Sequence, residues 1–189
     1  ESSKNIITSN KNNFSLDFWN KSFNRYKNLI NKELPSSFEI VSEEIKFLNK
    51  NWPIGLPKGI IHADLFPDNV LFNKSQRVSG MIDFYFACKD FFSYDIAILI
   101  NAWCFPKNNF NKIFMNNILK GYESVRMLKT VEKKKLNILL RGSSLRFLLT
   151  RIIDLQKKSK NKVLEIKNPE DFLKRLIFHR NINNENYNI

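Results

Sequence analysis

Few of the residues that mark secreted, zinc-binding or membrane-spanning proteins occur in this sequence. Its 189 residues include 2 cysteines and 2 histidines, too few for a disulfide framework or a zinc site. Cys88 and Cys104 lie in apolar, aromatic surroundings, where a reduced, packed thiol is commoner than a disulfide. No apolar run reaches the roughly 18 residues that span a bilayer, and the polar start lacks a signal-peptide core. We therefore expect a cytoplasmic protein without a membrane partner.

Glycine is also scarce, and its positions exclude one kind of nucleotide-binding loop. The 5 glycines are Gly55, Gly59, Gly80, Gly121 and Gly142. None precedes residue 55, and no G-x-G-x-x-G loop of the kind that contacts nucleotide phosphates can be built from them. The sequence also has no internal repeat and no linker rich in Gly, Ser and Pro. One packed unit without a glycine-rich phosphate loop is therefore expected.

Acidic residues are few relative to basic ones, which gives a net charge of +13. A basic surface attracts the phosphates of nucleic acids and anionic lipids. The lysines are scattered, however, apart from short runs at 133–135 and 157–162, and no aromatic and basic RNA-binding motif is present. We therefore predict no specific nucleic-acid partner.

The order of the patterns along the chain predicts a mainly helical α+β fold. Helical apolar spacing covers Leu16–Leu29 and the residues between Pro35 and Trp52. The segment Gly59–Phe86 contains short apolar runs and a turn signal at 73–76, which is typical of a small sheet. Everything beyond it has helical patterns, so helices flank one β-rich segment. The expected helices there cover 94–103, 110–125 and 131–156, the last one long or broken near Gly142, with a final helix opening at 168–170.

The ends of the chain are more polar than its middle. Residues 1–13 have few apolar side chains and many Asn and Ser, as in a flexible lead-in. The tail 181–189 is also polar. We therefore expect one packed lobe at 14–180 between the two polar ends.

The β-rich segment contains polar residues whose spacing implies chemistry. Asp64 and Asn69 have D-x-x-x-x-N spacing, and Asp83 follows the apolar run 78–82. Phosphoryl transfer requires a group that accepts or orients a hydroxyl proton, and oxygen ligands that hold a divalent metal against the phosphates. A single Asp at the end of a strand is more often a turn or cap residue. The three residues in this order favour a phosphoryl-transfer site at one end of a small sheet.

The motifs HADLFPDN and GMIDFYFA resemble the H-x-D-x-x-x-x-N signature and following strand of the aminoglycoside phosphotransferase and choline kinase superfamily. The longer stretches LPKGIIHADLFPDNVLF, SGMIDFYFACKDFFSYDIAILINAWCF and RGSSLRFLLTRIID resemble its homoserine kinase family, and the likeness covers about 14–179. The resemblance implies the mainly helical C-terminal lobe of a protein-kinase-like fold, with a small β-hairpin or sheet carrying the catalytic loop. It also implies ATP and Mg²⁺ as cofactors, and phosphorylation of the L-homoserine side-chain hydroxyl in threonine biosynthesis.

Specific roles are implied by the resemblance for the motif residues. Asp64 would be the catalytic base, and His62 would orient the loop. Asn69 and Asp83 would hold Mg²⁺ against the ATP phosphates. Asp68 would buttress the loop.

A homoserine site must also bind an α-carboxylate. The candidates are Arg141, Arg146 and Arg151, because an arginine fork matches a carboxylate. Their five-residue spacing turns about 140° beyond one full helical turn, so the three cannot all face one pocket. Arg146 is the preferred candidate.

The remaining substrate candidates follow the motif along the chain. Asp95 and Asn101 would bind the ammonium and hydroxyl ends, and Tyr85 and Trp103 would form walls. A capping or buttressing Asp95 and a core Trp103 are equally compatible with the sequence. These alternatives stay open at this point.

A complete kinase of this type also has an N-terminal β lobe that grips the nucleotide with a phosphate loop, a strand lysine and a helix glutamate. Without a glycine-rich loop, we expect this chain to be the C-terminal lobe only, a fragment or truncated product that binds ATP poorly alone. A separate N-lobe chain is then a candidate partner. Two alternatives remain: a kinase for choline, an aminoglycoside or another amino alcohol, and a non-catalytic binding lobe. Aminoglycosides are polycationic and favour acidic pockets, so this basic chain fits an amino acid better.

Overall fold

The structure, a computed structural model, describes residues 10–158, 167–182 and 187. Residues 1–9 of the lead-in predicted at 1–13 lie outside the described residues. Most of the tail predicted at 181–189 also lies outside them. Within the described ranges, no helix is both long and apolar enough to cross a membrane. Cys88 and Cys104 are buried free thiols, as the composition predicted.

Helices dominate the described residues and enclose four short strands, which confirms the predicted α+β class. The helices are α1 (Leu16–Glu33), α2 (Phe38–Asn51), α3 (Phe92–Trp103), α4 (Lys112–Glu123), α5 (Thr130–Lys158) and α6 (Glu170–Asn181). The strands are β1 (Lys58–Ile61), β2 (Val70–Phe72), β3 (Val78–Met81) and β4 (Cys88–Phe91).

The strands form two separate antiparallel pairs rather than one sheet. β2 and β3 form the predicted hairpin, with Val70 opposite Met81. β1 instead pairs with β4, with Ile61 opposite Cys88, so the single small sheet expected within Gly59–Phe86 is wrong. The physical reason is burial: Ile61 and Cys88 face the core, whereas most of the hairpin faces outward.

α5 is the central helix, and it packs against α1, α2, α3 and α6. It runs without a break through Gly142, where an added Cβ would lie 2.3 Å from the Trp52 ring and 2.9 Å from the Trp19 ring. The glycine therefore serves close packing of α5 against two aromatic rings. Of the two forms predicted for this helix, the unbroken one is found.

A chain of buried hydrogen bonds joins α3, α5 and α6. Asn137 Nδ2 donates to the Tyr187 hydroxyl at 3.3 Å, and that hydroxyl lies 2.6 Å from His179 Nδ1. His179 Nε2 lies 2.9 Å from Asn101 Oδ1, and Asn101 Nδ2 donates to Ser143 Oγ at 2.8 Å. Because an amide oxygen only accepts, Nε2 carries the proton and Nδ1 accepts from Tyr187. Burial lowers the pKa of His179 to about 3, so its ring is neutral.

Asn101 is therefore a residue of the core. It is fully buried, and its amide also donates to the main-chain oxygen of Leu140. All of its hydrogen-bonding atoms have partners inside the helical core. This placement does not support the predicted contact between Asn101 and a substrate.

Candidate active site

The predicted base and metal ligands line one open cleft with a volume of about 400 Å³. Asp64 comes from the loop after β1, Asn69 from the short 3₁₀ turn Pro67–Asn69, and Asp83 from the residues after β3. α5 forms another wall. The residues that line the cleft include Asp64, Asn69, Asp83, Arg146, Arg151 and Lys167.

Asp64 and Asn69 are in direct contact. The Asn69 side-chain amide donates to the main-chain oxygen of Asp64 at 2.7 Å and to Asp64 Oδ2 at 3.2 Å. Burial raises the pKa of the Asp64 carboxyl, and the negative charge of Asp83 adds to this, while the charges of Arg146 and His62 oppose it. A raised pKa makes this carboxylate a better proton acceptor.

Asp83 is joined to the loop through its neighbour Ile82. The Ile82 N–H donates to the main-chain oxygen of Asn69 at 3.0 Å, and the Ile82 oxygen accepts from His62 Nε2 at 2.9 Å. His62 Nδ1 then accepts from the Asp64 N–H at 3.3 Å. His62 therefore links the Asp64 backbone to Ile82, a geometry that its predicted role in orienting the loop requires. Asp83 itself has a left-handed backbone with φ of 60°, a strained conformation found often at functional sites.

α3 holds the loop backbone through two residues that were predicted to bind substrate. The Asp95 carboxylate accepts from the N–H groups of His62 at 3.1 Å and Ala63 at 2.8 Å. The Trp103 indole donates to the main-chain oxygen of Leu65 at 3.0 Å. Burial raises the pKa of Asp95, while the two N–H donors oppose the rise. The geometry favours the buttressing alternative for Asp95 and does not place either residue as a substrate ligand.

The three arginines considered for a substrate carboxylate have three different environments. Arg141 is paired with Glu44 through bonds of 2.7 and 2.6 Å, away from the cleft. Arg146 is only 2% exposed, and its NH1 donates to the main-chain oxygen of Ala63 at 2.7 Å. Arg151 lines the cleft farther along α5. Its NH1 donates to the main-chain oxygen of Asn168 at 2.7 Å and to Asp171 Oδ2 at 3.3 Å, but its side chain is more exposed than that of Arg146. The preference for Arg146 as the carboxylate ligand is therefore not supported, and Arg151 is the better placed candidate.

Tyr85 lies on an exposed apolar surface rather than in the cleft. Its side chain is 87% exposed, in the 3₁₀ turn Phe84–Phe86. We call this region the hairpin surface, because it combines the turn with the outer side of β2 and β3. Its exposed apolar residues are Leu71, Phe72, Val78, Met81, Ile82, Phe84 and Tyr85. A large exposed apolar patch is typical of a surface that binds a ligand or another domain.

Sequence reasoning missed the residues of the cleft that come from distant parts of the chain. Lys167, just before α6, bonds Asp68 at 2.5 Å. Burial alone would raise the pKa of Asp68, but the Lys167 ammonium lowers it below its usual value. Thr150 and Asp154 of α5 also line the cleft. The RGSSLRFLLTRIID stretch pointed to this part of α5, whereas no sequence signal marks Lys167.

The cleft offers oxygen ligands suited to Mg²⁺. Asp64, Asp83 and Asn69 supply carboxylate and amide oxygens, and Mg²⁺ is commonly held by one or two carboxylates together with substrate phosphates. Among the described residues, no group of three or more His, Cys, Asp or Glu side chains has a metal-binding arrangement. Asn69 and Asp83 therefore fit a metal that is shared with a phosphate rather than enclosed by protein.

Two homoserine kinases are similar to this chain over most of its length. Homoserine kinase of Xanthobacter autotrophicus is 44% identical over 170 residues, which are 89% of this chain and 53% of the relative. Homoserine kinase of Mesorhizobium japonicum is 44% identical over 172 residues, which are 90% of this chain and 53% of the relative. The chain thus spans about half the length of the curated relatives it matches.

The fold and the family are shown by two further comparisons. The structure of Plasmodium vivax ethanolamine kinase superposes with a TM-score of 0.58 at 15% identity, over 86% of this chain and 48% of the other. At that identity the likeness concerns the fold alone. The family model of the phosphotransferase enzyme family matches residues 10–128, which contain the whole loop, the hairpin and Asp83. The chain therefore belongs to the phosphotransferase enzyme family.

Proposed function

We propose that this protein supplies the catalytic lobe of an ATP-dependent homoserine kinase. The observation that carries the proposal is the convergence of Asp64, Asn69 and Asp83 on one cleft in a chain 44% identical to homoserine kinases. The three residue types match the base and the metal ligands that phosphoryl transfer requires.

In the proposed reaction, Asp64 orients the substrate hydroxyl and accepts its proton as the hydroxyl oxygen bonds to the γ-phosphorus of ATP. The bond between that phosphorus and the β,γ-bridging oxygen breaks, and ADP leaves. Burial, which raises the pKa of Asp64, strengthens it as a base. Mg²⁺ held by Asn69 and Asp83 would neutralise charge on the phosphates. His62 keeps the loop in place through its bonds to Asp64 and Ile82.

The charges of the cleft support an amino-acid substrate. Arg151 and Lys167 supply positive charge for a carboxylate, and Asp154 supplies negative charge for an ammonium group. We therefore place the substrate between Asp64 and the Arg151 end of α5.

The hairpin surface supports a second part of the proposal, that a nucleotide-gripping N-lobe covers it. Its apolar side chains are exposed in the described structure, and the sequence has no glycine-rich phosphate loop. Either a longer polypeptide or a separate chain would supply that lobe. We expect weak ATP binding by the 189-residue chain alone.

ADP production measured with a coupled assay tests the function. The chain would be assayed alone and fused to the N-terminal half of the Xanthobacter autotrophicus relative, with homoserine, choline, ethanolamine and kanamycin as substrates. We expect turnover of homoserine by the fusion and its loss in Asp64→Ala. Asp17→Ala, on the exposed face of α1, is the matched control. Preference for another substrate, or full activity of Asp64→Ala, would contradict the proposal.

ATP titration in the presence of Mg²⁺ tests the role of the N-lobe separately. We expect the fusion to bind ATP more tightly than the chain alone. Micromolar binding and homoserine turnover by the 189-residue chain alone would show that no further lobe is needed.

A further inference from the structure

Among the described residues, Arg146 is the one arginine of the cleft wall that is bonded to the catalytic loop itself. Its side chain extends from α5 and is 2% exposed. Its NH1 donates to the main-chain oxygen of Ala63 at 2.7 Å. That oxygen belongs to the peptide group joining Ala63 to Asp64. The N–H of the same peptide group donates to His62 Nδ1 at 3.3 Å, so both of its polar atoms are held by side chains.

Ala63 has a backbone conformation that needs such support. Its φ is 63°, in the left-handed region that is strained for a residue other than glycine. Strained residues of this kind persist when the surrounding structure holds them. Here the Asp95 carboxylate accepts from the Ala63 N–H, and Arg146 donates to the Ala63 oxygen. The backbone N–H of Ala63 is therefore held by a side chain of α3, and its oxygen by a side chain of α5.

Aromatic rings hold the Arg146 guanidinium in turn. Its Cζ lies 4.6 Å from the ring centroid of Phe14 and 4.6 Å from that of Phe147. Cations at this distance are attracted to the ring faces. The Arg146 Nε is buried without a hydrogen-bond partner among the described residues. A planar cation between two rings has little freedom to turn toward a substrate.

We propose that Arg146 is a positioning residue, which fixes the Ala63–Asp64 peptide and thereby the direction of the Asp64 carboxylate. It does not bind the substrate carboxylate. The effect on turnover rests on the proposed kinase function, because Asp64 is the proposed base. The effect on loop geometry does not depend on that function.

Trp103 provides a readout of loop geometry that needs no activity. Its indole N–H donates to the main-chain oxygen of Leu65, the residue after Asp64. The chain has 3 tryptophans, so its indole cross-peak in a ¹H–¹⁵N spectrum can be assigned by its loss in Trp103→Phe. Displacement of the loop changes this hydrogen bond and moves the cross-peak.

The experiment compares Arg146→Lys and Arg146→Met with the wild type. Lys keeps the charge and a donor, whereas Met keeps the apolar stem and removes both. Arg25→Met on the exposed face of α1 is the control. We expect the Trp103 cross-peak to move most in Arg146→Met, less in Arg146→Lys, and not in the control. In the active fusion, kcat should fall by about 10- to 100-fold in Arg146→Met, the range found when outer-shell partners of metal ligands are removed, with KM for homoserine nearly unchanged.

Several outcomes separate this inference from the proposed function. An unmoved Trp103 cross-peak in a folded Arg146→Met variant would overturn it, and so would a rise in KM with unchanged kcat, which indicates substrate binding. If Arg146→Met does not fold, the same comparison is made with Arg146→Lys, for which a wild-type spectrum and kcat would contradict the inference. If the wild-type chain and the fusion turn over no homoserine, the kinase proposal fails and the Trp103 spectra alone decide the positioning role.

Discussion

The Asn69 amide bonds Asp64 twice, at its main-chain oxygen and at its carboxylate. The proposed metal ligand and the proposed base are therefore parts of one hydrogen-bonded unit. The Asn69 N–H₂ thereby orients the Asp64 carboxylate, while the Asn69 amide oxygen remains an acceptor for a metal. Any change at one of these residues should consequently affect the other.

Asp64→Asn should separate activity from stability. Burial raises the pKa of Asp64 in the folded protein above its unfolded value, near 3.8. The contribution of this carboxyl to stability is therefore fully present below pH 3.8. It is lost as pH rises through the pKa of the folded state. A neutral amide removes this cost, so we expect equal or greater stability at pH 7 together with loss of kinase activity. Urea unfolding and the ADP assay measure the two effects. Asp17→Asn at an exposed position should change neither, and marked destabilisation of Asp64→Asn would contradict the expected burial cost.

His179 should make stability fall as the solution becomes acidic. Its pKa is lowered from an ordinary value of 6.5 to about 3, so its stabilising contribution is present above 6.5 and is lost as pH falls toward 3. The slope for one proton is at most about 1.4 kcal/mol per pH unit. Urea unfolding at pH 7, 6 and 5 measures it, and His179→Gln should show a shallower dependence. If the free energy of unfolding depended equally on pH in the wild type and in His179→Gln, His179 would not be the cause.

Gly142→Ala should destabilise the protein even though alanine favours helices. Its Cβ would lie 2.3 Å from the Trp52 ring, and overpacking of this kind costs about 1–3 kcal/mol. Gly121→Ala in α4 is the matched control, since nothing lies within 4 Å of its added Cβ. There we expect stabilisation of about 0.5–1 kcal/mol. Thermal unfolding compares the two variants, and similar shifts at both positions would contradict the packing argument.

Arg151→Met should weaken substrate binding more than it slows turnover. Removal of one charged hydrogen bond costs about 1.5–3 kcal/mol, so KM for homoserine should rise about tenfold or more with a smaller change in kcat. Steady-state kinetics of the active fusion protein measure KM and kcat. Lys174→Met, from an exposed pair on α6, is the control. A fall in kcat alone would instead indicate that Arg151 acts through its structural partner Asp171.

The spacing of Asp64, Asn69 and Asp83 was enough to predict that they lie together, because short strands and turns fix the geometry of nearby residues. The roles of Asp95 and Trp103 could not be assigned in the same way. Each bonds a backbone atom more than thirty residues away, so its role depends on how α3 packs against the loop. A sequence shows that an aspartate or an indole is present but not the direction in which the fold points it.

The pairing of the strands likewise could not be predicted from local sequence patterns. The four residues of β4 precede α3 directly and include two charged side chains, Lys89 and Asp90, so no apolar run marked them as a strand. Their partner β1 is nearly thirty residues earlier. Lys167 presents the same difficulty, because only tertiary packing brings it to Asp68.

The buried hydrogen bonds from Asn137 through Tyr187, His179 and Asn101 to Ser143 all run in one direction. A reversed Asn101 amide would place its N–H₂ against the His179 Nε2–H, and the other ring tautomer would place the Nε2 lone pair against the Asn101 oxygen, so that two acceptors face each other. Since an unpaired buried polar group is costly, only one protonation pattern is compatible with this packing. A shift of α3, α5 or α6 along its axis would separate these groups from their partners. The network therefore discriminates against alternative helix registers, in addition to any strength it adds.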